Sequence, residues 1–239
     1  MRDQYAGDVS DVLKLALLRS LAGNDRKLGV AWYYVPGNDG KPDGRHLEWR
    51  TEPAWKELDG VLHTGLTSLP DRSVTALEAL AIWPPGSVFY TEPMPSRAER
   101  MAWAARKRHT LENSDLVFLD PDNGIGTETA KHATFAEIRK LRRPGRAVVF
   151  ITFPGRNMTH ELLLANLHAR LRAEADASQV LTLRTNVSVP RPGSSTSFVQ
   201  RQRWFTIVDP DAVLIRRSEA FAHALGSVPR VKASLERDL

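Results

Sequence analysis

Apolar residues are densest near the start of the chain, where Val12, Leu13, Leu15, Ala16, Leu17, Leu18 and Leu21 predict a largely buried helix over Val9 to Ala22. Gly23 and Asn24 close it. Leu28 to Val35 follows as an apolar, aromatic run without alternation, the pattern of a strand covered on both faces. It stops at the turn Pro36, Gly37, Asn38, Asp39, Gly40. Residues 41 to 72 place Trp49, Trp55, Leu58, Leu62, Leu66 and Leu69 at near-helical spacing, which predicts a loop and one amphipathic helix. Ser73 to Leu77 reads as a short strand. Four more elements follow: a strand over Gly86 to Glu92, a helix from Ser96 to about Glu112, a strand over Asp115 to Asp120, and a helix over Phe135 to Leu141. Arg146 to Phe153 then predicts a buried strand and Thr159 to Ala173 a long helix. Gln179 to Val187 and Arg203 to Val208 form a last pair of strands, joined by a loop rich in Pro, Ser and Gly.

Strands that alternate with helices imply right-handed crossovers and a parallel sheet, whereas a final strand pair with no helix between implies an antiparallel edge. The pattern therefore predicts one α/β domain over all 239 residues, a Rossmann-like three-layer sandwich whose mostly parallel sheet ends in an antiparallel pair.

Composition narrows the chemistry. No window approaches the roughly 20 apolar residues that a membrane helix needs, and the first ten residues are polar, so a cytoplasmic protein with no membrane partner is expected. There is no cysteine, which excludes disulfides, thiolate nucleophiles and cysteine-bound metals. Thirty-three Lys and Arg against 28 Asp and Glu give a net charge of +5, which favours a polyanionic partner such as RNA or DNA.

In parallel sheets, ligands sit beyond the carboxyl ends of the strands. Asp120, Pro121, Asp122, Asn123 and Gly124 follow the strand DLVFL, bringing two carboxylates and an amide into one turn. Charges that close raise one carboxylate's pKa or recruit a cation. An ordinary Asp-Asn-Gly turn has the same composition, so the burial of the preceding strand is what favours a site. Lys14 stands among apolar neighbours, where a lysine is costly unless paired, and Asp11 is three residues away on the same helix face. Asp8 or Ser10 can cap that helix. Arg97, Arg100 and Arg106, on a helix with Trp103, and Arg156, after a later strand, are candidates to follow a phosphate backbone. Glu92, at a strand end, and Glu78, just after a shorter strand, are candidates to bind ribose hydroxyls. The seven histidines show no metal-binding spacing, and no P-loop or nucleophile elbow occurs.

These residues resemble the class I methyltransferases, specifically the branch that methylates N6 of an adenine in large-subunit ribosomal RNA. That branch opens on F-H-A-G-N-x-A-D-V-L-K-H, and Tyr5, Ala6, Gly7, Asp8, Asp11, Val12, Leu13 and Lys14 run parallel to it. Its catalytic loop is D-P-P-Y. Here Asp120 and Pro121 match, while Asp122 and Asn123 replace the proline and tyrosine. The chain is also similar to a scattered set of uncharacterised bacterial and phage-associated proteins sharing Y-x-G-D-x-x-D-x-x-K and F-x-D-P-D-N-G. The resemblance implies a methyltransferase-like domain that uses S-adenosylmethionine on a nucleic-acid amine. Asp120, Asp122, Asn123 and Lys14 would be catalytic; Tyr5, Gly7, Asp8, Asp11, Pro36, Gly37, Asn38, Glu78 and Glu92 would lie around the cofactor. Two other readings stay open: a Mg²⁺-dependent nuclease or phosphodiesterase in which Asp8, Glu92, Asp120 and Asp122 gather the ion, and a non-catalytic binding module of the same fold.

Overall fold

The computed structural model describes residues 1–37, 40, 44, 46–155, 157–191 and 196–237. Its frame is one seven-stranded mixed sheet in the order β2-β1-β3-β4-β6-β5-β7. The strands are β1 (Leu28–Trp32), β2 (Val88–Tyr90), β3 (Leu116–Asp120), β4 (Ala147–Thr152), β5 (Val180–Pro190), β6 (Phe198–Val208) and β7 (Val231–Arg237). β2, β1, β3 and β4 pair in parallel. β6 runs antiparallel between β4 and β5, and β7 runs antiparallel to β5 at the far edge. The α-helices are α1 (Val9–Ala22), α2 (Pro53–Leu58), α3 (Gly60–Thr67), α4 (Val74–Glu78), α5 (Arg100–Thr110), α6 (Phe135–Leu141), α7 (His160–Ala175) and α8 (Ala212–Gly226).

Because successive strand residues point to opposite faces, each central strand feeds two separate cores. Leu28, Val30, Trp32, Phe118, Val149 and Ile151 join α1 and α8 in one. Ala31, Val117, Leu119, Val148 and Phe150 join Trp103 of α5, Ile138 of α6 and Leu171 of α7 in the other. All five residues of β1 and of β3 are buried, which accounts for runs with no polar alternation. The fold class is thus α/β, with a parallel centre and antiparallel carboxyl-terminal strands.

Several local expectations change. Ser73 to Leu77 is not a strand: the Ser73 hydroxyl accepts from Ala76 N, and the capped segment coils into α4. The single helix expected within 41–72 is instead a 3-10 turn (Glu48–Thr51), α2 and α3. Asp59 makes the break, because its extended backbone ends α2 and its carboxylate accepts from Leu62 N to start α3. β1 ends at Trp32 rather than Val35. Beyond it the chain stays extended and pairs elsewhere, Val35 N donating to Met1 O (2.9 Å) and Met94 N to Tyr34 O (2.7 Å). The last strand pair is longer than its apolar parts, since the outer half of β5 alternates buried and half-buried positions and that of β6 is half-buried or exposed throughout. α8 and β7, past Val208, carry no expectation from the sequence. No helix among the described residues is long and apolar enough to cross a membrane.

Candidate functional site

A cavity of about 350 Å³ opens at the carboxyl ends of β3 and β4. The start of α1, the loop after β3, Ile151 and Phe153 at the end of β4, and Arg201 and Arg203 on β6 form its walls. The floor is a buried charge cluster built mainly by α1. Asp8 caps the helix, accepting from Ser10 N (2.8 Å) and Asp11 N (3.3 Å). Gly7, at a φ of 76°, turns its N–H onto Asp11 Oδ2 (2.8 Å). Asp11 is therefore held by the backbone before any side chain meets it. One turn later Lys14 bridges two carboxylates, Asp11 Oδ1 at 2.7 Å and Asp120 Oδ2 at 2.9 Å, with its ammonium 5.4 Å from the centre of the Trp32 ring.

Burial decides the electrostatics of this triad. It pushes the Asp11 and Asp120 carboxyls up, with Lys14 pulling the other way. Burial also opposes the charge on Lys14, yet the two carboxylates outweigh it and hold the ammonium charged well past neutrality. The ammonium of Met1 adds a second cation, donating to Asp122 Oδ1 (2.7 Å) and to Tyr33 O (2.8 Å). Asp120 is only 4% exposed, so a ligand must enter the cavity to reach it.

The loop after β3 is pinned rather than free. Asn123 N donates to Lys131 O (2.8 Å), Ala133 N to Gly124 O (3.0 Å) and Gly126 N to Ala133 O (2.9 Å). Pro121 is buried and Asn123 exposed at the mouth. Gly124 has a φ of 84°, and a Cβ there would lie 2.9 Å from Thr152 Cα, a backbone atom of β4. Both features require glycine. Gly124→Ala is expected to lower stability by roughly 1–3 kcal/mol and to displace Asn123. A denaturant midpoint matching the wild type would show that the loop tolerates the shift.

The cavity brings together Tyr5, Asp8, Asp11, Lys14, Asp120, Asp122 and Asn123. Gly7 stays behind it as the turn that orients Asp11. Pro36 and Gly37 do not line it; their carbonyls accept long bonds from Arg2 Nη1 at 3.5 and 3.4 Å. Asn38 and Arg156 lie outside the described residues. Glu78 ends α4 instead of following a strand, accepts from Thr91 Oγ1 (2.5 Å), and is pushed up by burial. Glu92 does follow β2, but both its oxygens accept from Arg106 Nε (3.0 and 2.9 Å), which pulls its carboxyl below the usual range. Neither glutamate reaches the cavity.

The basic helix divides. Arg97 is exposed, 3.9 Å from Glu128, and Arg106 is paired with Glu92. Arg100 cannot meet a phosphate backbone: it is 4% exposed and donates through Nε to Glu137 Oε1 (2.8 Å) and through Nη2 to His132 O (2.9 Å). The reason is packing, since α5 turns this face onto the second core, where Lys107 and Tyr33 complete the same network. Of the expected magnesium set, Asp8, Asp120 and Asp122 line the cavity and Glu92 lies apart, but each already has a partner. Glu92 is held by Arg106, Asp8 by the helix start and Asp120 by Lys14. Among the described residues no three His, Asp or Glu side chains are grouped to hold a metal.

The structure adds Ser10, His46, Lys131, Arg201 and Arg203 to the walls. Arg203 Nε donates to Ser10 Oγ (2.9 Å) and its guanidinium lies 4.7 Å from the Phe153 ring centre; Arg201 Nε donates to His46 Nε2 (3.1 Å). The sequence carries no periodic signal for these contacts, because they depend on β6 lying next to β4.

No family model and no curated protein matches the chain. Among solved structures it is similar to the crystal structure of protein LPL1258 from Legionella pneumophila str. Philadelphia 1, of the DUF519 family. The TM-score is 0.52 at 12% sequence identity, over 97% of this chain and 98% of that one. At that identity the likeness is one of fold.

Proposed function

We propose that this chain is a methyltransferase-like enzyme acting on an exocyclic amino group of a nucleic-acid base. One observation carries the reading: the Lys14-clamped carboxylate of Asp120, recessed at the carboxyl end of β3, with the exposed amide of Asn123 three residues on. The sheet supports it. An antiparallel β6 between β4 and β5, with apolar cores on both faces, suits the Rossmann-like three-layer arrangement of such enzymes.

The aromatic amine of a base is a weak nucleophile because its lone pair is delocalised into the ring. Two acceptors placed on its hydrogens favour the state in which nitrogen becomes cationic. The Asp120 carboxylate and the Asn123 side-chain oxygen are such acceptors, and Lys14 fixes the carboxylate's orientation. Burial raises the proton affinity of Asp120, which suits it to take up the proton that the amine must shed.

The donor set also fits S-adenosylmethionine, though not at the place the fold ordinarily uses. Tyr33 and Tyr34 after β1 are engaged by Met1 and Met94, and Pro36 and Gly37 stay outside the cavity. Tyr5 offers a ring and Asp8 and Asp122 offer carboxylates to the cofactor's adenine, ribose and ammonium groups. When bound, it supplies an electrophilic methyl group. Asp120→Asn and Asn123→Ala are expected to lower transfer of an isotope-labelled methyl group to a short oligonucleotide by about 10²-fold each. Asn123 is exposed, so its variant should melt like the wild type. Unchanged transfer in both would leave only a binding module.

A further inference from the structure

We infer that the rim of this cavity is a phosphate clamp for single-stranded nucleic acid, in which Lys131 and Arg201 hold backbone phosphates flanking the base presented to Asp120. The inference rests on the base-amine reading of the same site. Its first support is charge. Each carboxylate of the cavity already has a partner within the protein: Asp8, through Oδ1, the helix start; Asp11 and Asp120, Lys14; and Asp122, through Oδ1, the Met1 ammonium. The rim cations have no such counterpart. Among the described residues no carboxylate lies within ion-pair distance of Lys131 or Arg201, and the partner of Arg201 Nε is a histidine ring nitrogen.

Placement is the second support. Lys131 is exposed, and its carbonyl holds the Asn123 N–H, so its position is tied to the amide proposed to touch the base. Arg201 and Arg203 alternate along β6 and so share one face. Arg203 is aligned by Ser10 and by the Phe153 ring, which sets the strand that carries Arg201 beside the mouth. A cationic pair on two walls of one opening suits a chain of phosphates passing across it. The recessed position of Asp120 then selects the form of the nucleic acid. A base must leave its stack to enter, and a single strand meets that requirement at the least cost.

Fluorescence anisotropy with a labelled 12-nucleotide single strand, as RNA and as DNA, tests this over a range of salt concentrations. The Lys131→Gln/Arg201→Gln double variant is expected to bind about tenfold more weakly at low salt. Its plot of log affinity against log salt should be shallower by about 1.4, since each phosphate contact on a single strand contributes about 0.7 to the slope. Melting curves confirm the fold. An unchanged slope overturns the clamp, as does a variant that binds S-adenosylmethionine more weakly but the strand as before. The base-amine reading fails separately: Asp120→Asn should lose methyl transfer and keep the wild-type slope. A clamp with no methyl transfer in the wild type would therefore sink that reading and leave the clamp in place.

Discussion

Replacing Lys14 with methionine is expected to destabilise the protein by about 3–5 kcal/mol, the cost of leaving buried charge without its partner. The side chain is 3% exposed and is the shared counter-ion of Asp11 and Asp120, themselves 1% and 6% exposed at the side chain. Without it two carboxylates would face each other in an apolar setting. Each would have to take up a proton or admit water. The backbone bond from Gly7 keeps Asp11 in place, so the helix start cannot relieve the repulsion by turning away. Urea unfolding checks this through the midpoint at constant slope. A loss below about 1 kcal/mol would mean that water already reaches the triad and that the ion pairs behave as surface ones. Adding Asp11→Asn and Asp120→Asn to Lys14→Met should recover most of the loss, because the penalty lies in unpaired charge and not in lost attraction.

Glu137→Gln is expected to cost a similar amount, about 3–5 kcal/mol, for the mirror-image reason. Glu137 accepts from Arg100 Nε at 2.8 Å and from Tyr33 Oη at 2.8 Å, and lies 3.6 Å from Lys107 Nζ. Its loss leaves two buried cations stacked on Tyr33 and Trp103. Burial, with Arg100 acting in the same direction, already pulls the Lys107 ammonium down to about 8, so in the variant it would lose its proton near neutrality. The pH dependence provides a second check. Burial works against ionisation of Glu137, but Lys107, Arg100 and Tyr33 outweigh it and hold its carboxyl in the folded protein below the ordinary 4.5 of a glutamate. A depressed carboxyl contributes its stability above that ordinary value and loses it as pH falls through the folded pKa. The stability gap between wild type and Glu137→Gln should therefore be full at pH 7 and narrow as pH drops below 4.5. A gap that does not change with pH would assign the effect to packing.

The two networks show where sequence reading succeeds and where it stops. β1, β3 and β4 are legible because they are buried on both faces, and an uninterrupted apolar run flanked by turns has few places in a fold except such a strand. Lys14 and Asp11 are legible as a pair because one helix carries both, and a lysine amid leucines demands a partner. The third member, Asp120, is 106 residues away, and only the register Trp32↔Asp120 between β1 and β3 brings it under α1. Arg100 shows the opposite failure. A basic helix reads as a solvated face, and nothing local reveals that Glu137 of α6 waits beneath it. Arg201 and Arg203 escape notice because Arg203 opens the apolar part of β6 and Arg201 precedes it, so neither has a burial pattern until β6 is placed beside β4. Ser73 misleads because a cap acts through one hydroxyl, whereas the residues it starts are β-branched or apolar enough to pass for a strand.

Whether the cofactor and the amine meet in the cavity under Tyr5, Asp8 and Asp120 is tested most directly by a crystal structure with the demethylated product of S-adenosylmethionine. That nucleoside is expected in the cavity of about 350 Å³, against Tyr5 and Asp8 and within reach of Asp120. A ligand seated instead between the ends of β1 and β2, beside Glu78 and Glu92, would contradict this placement, as would a cavity that stays empty with the compound present at millimolar concentration.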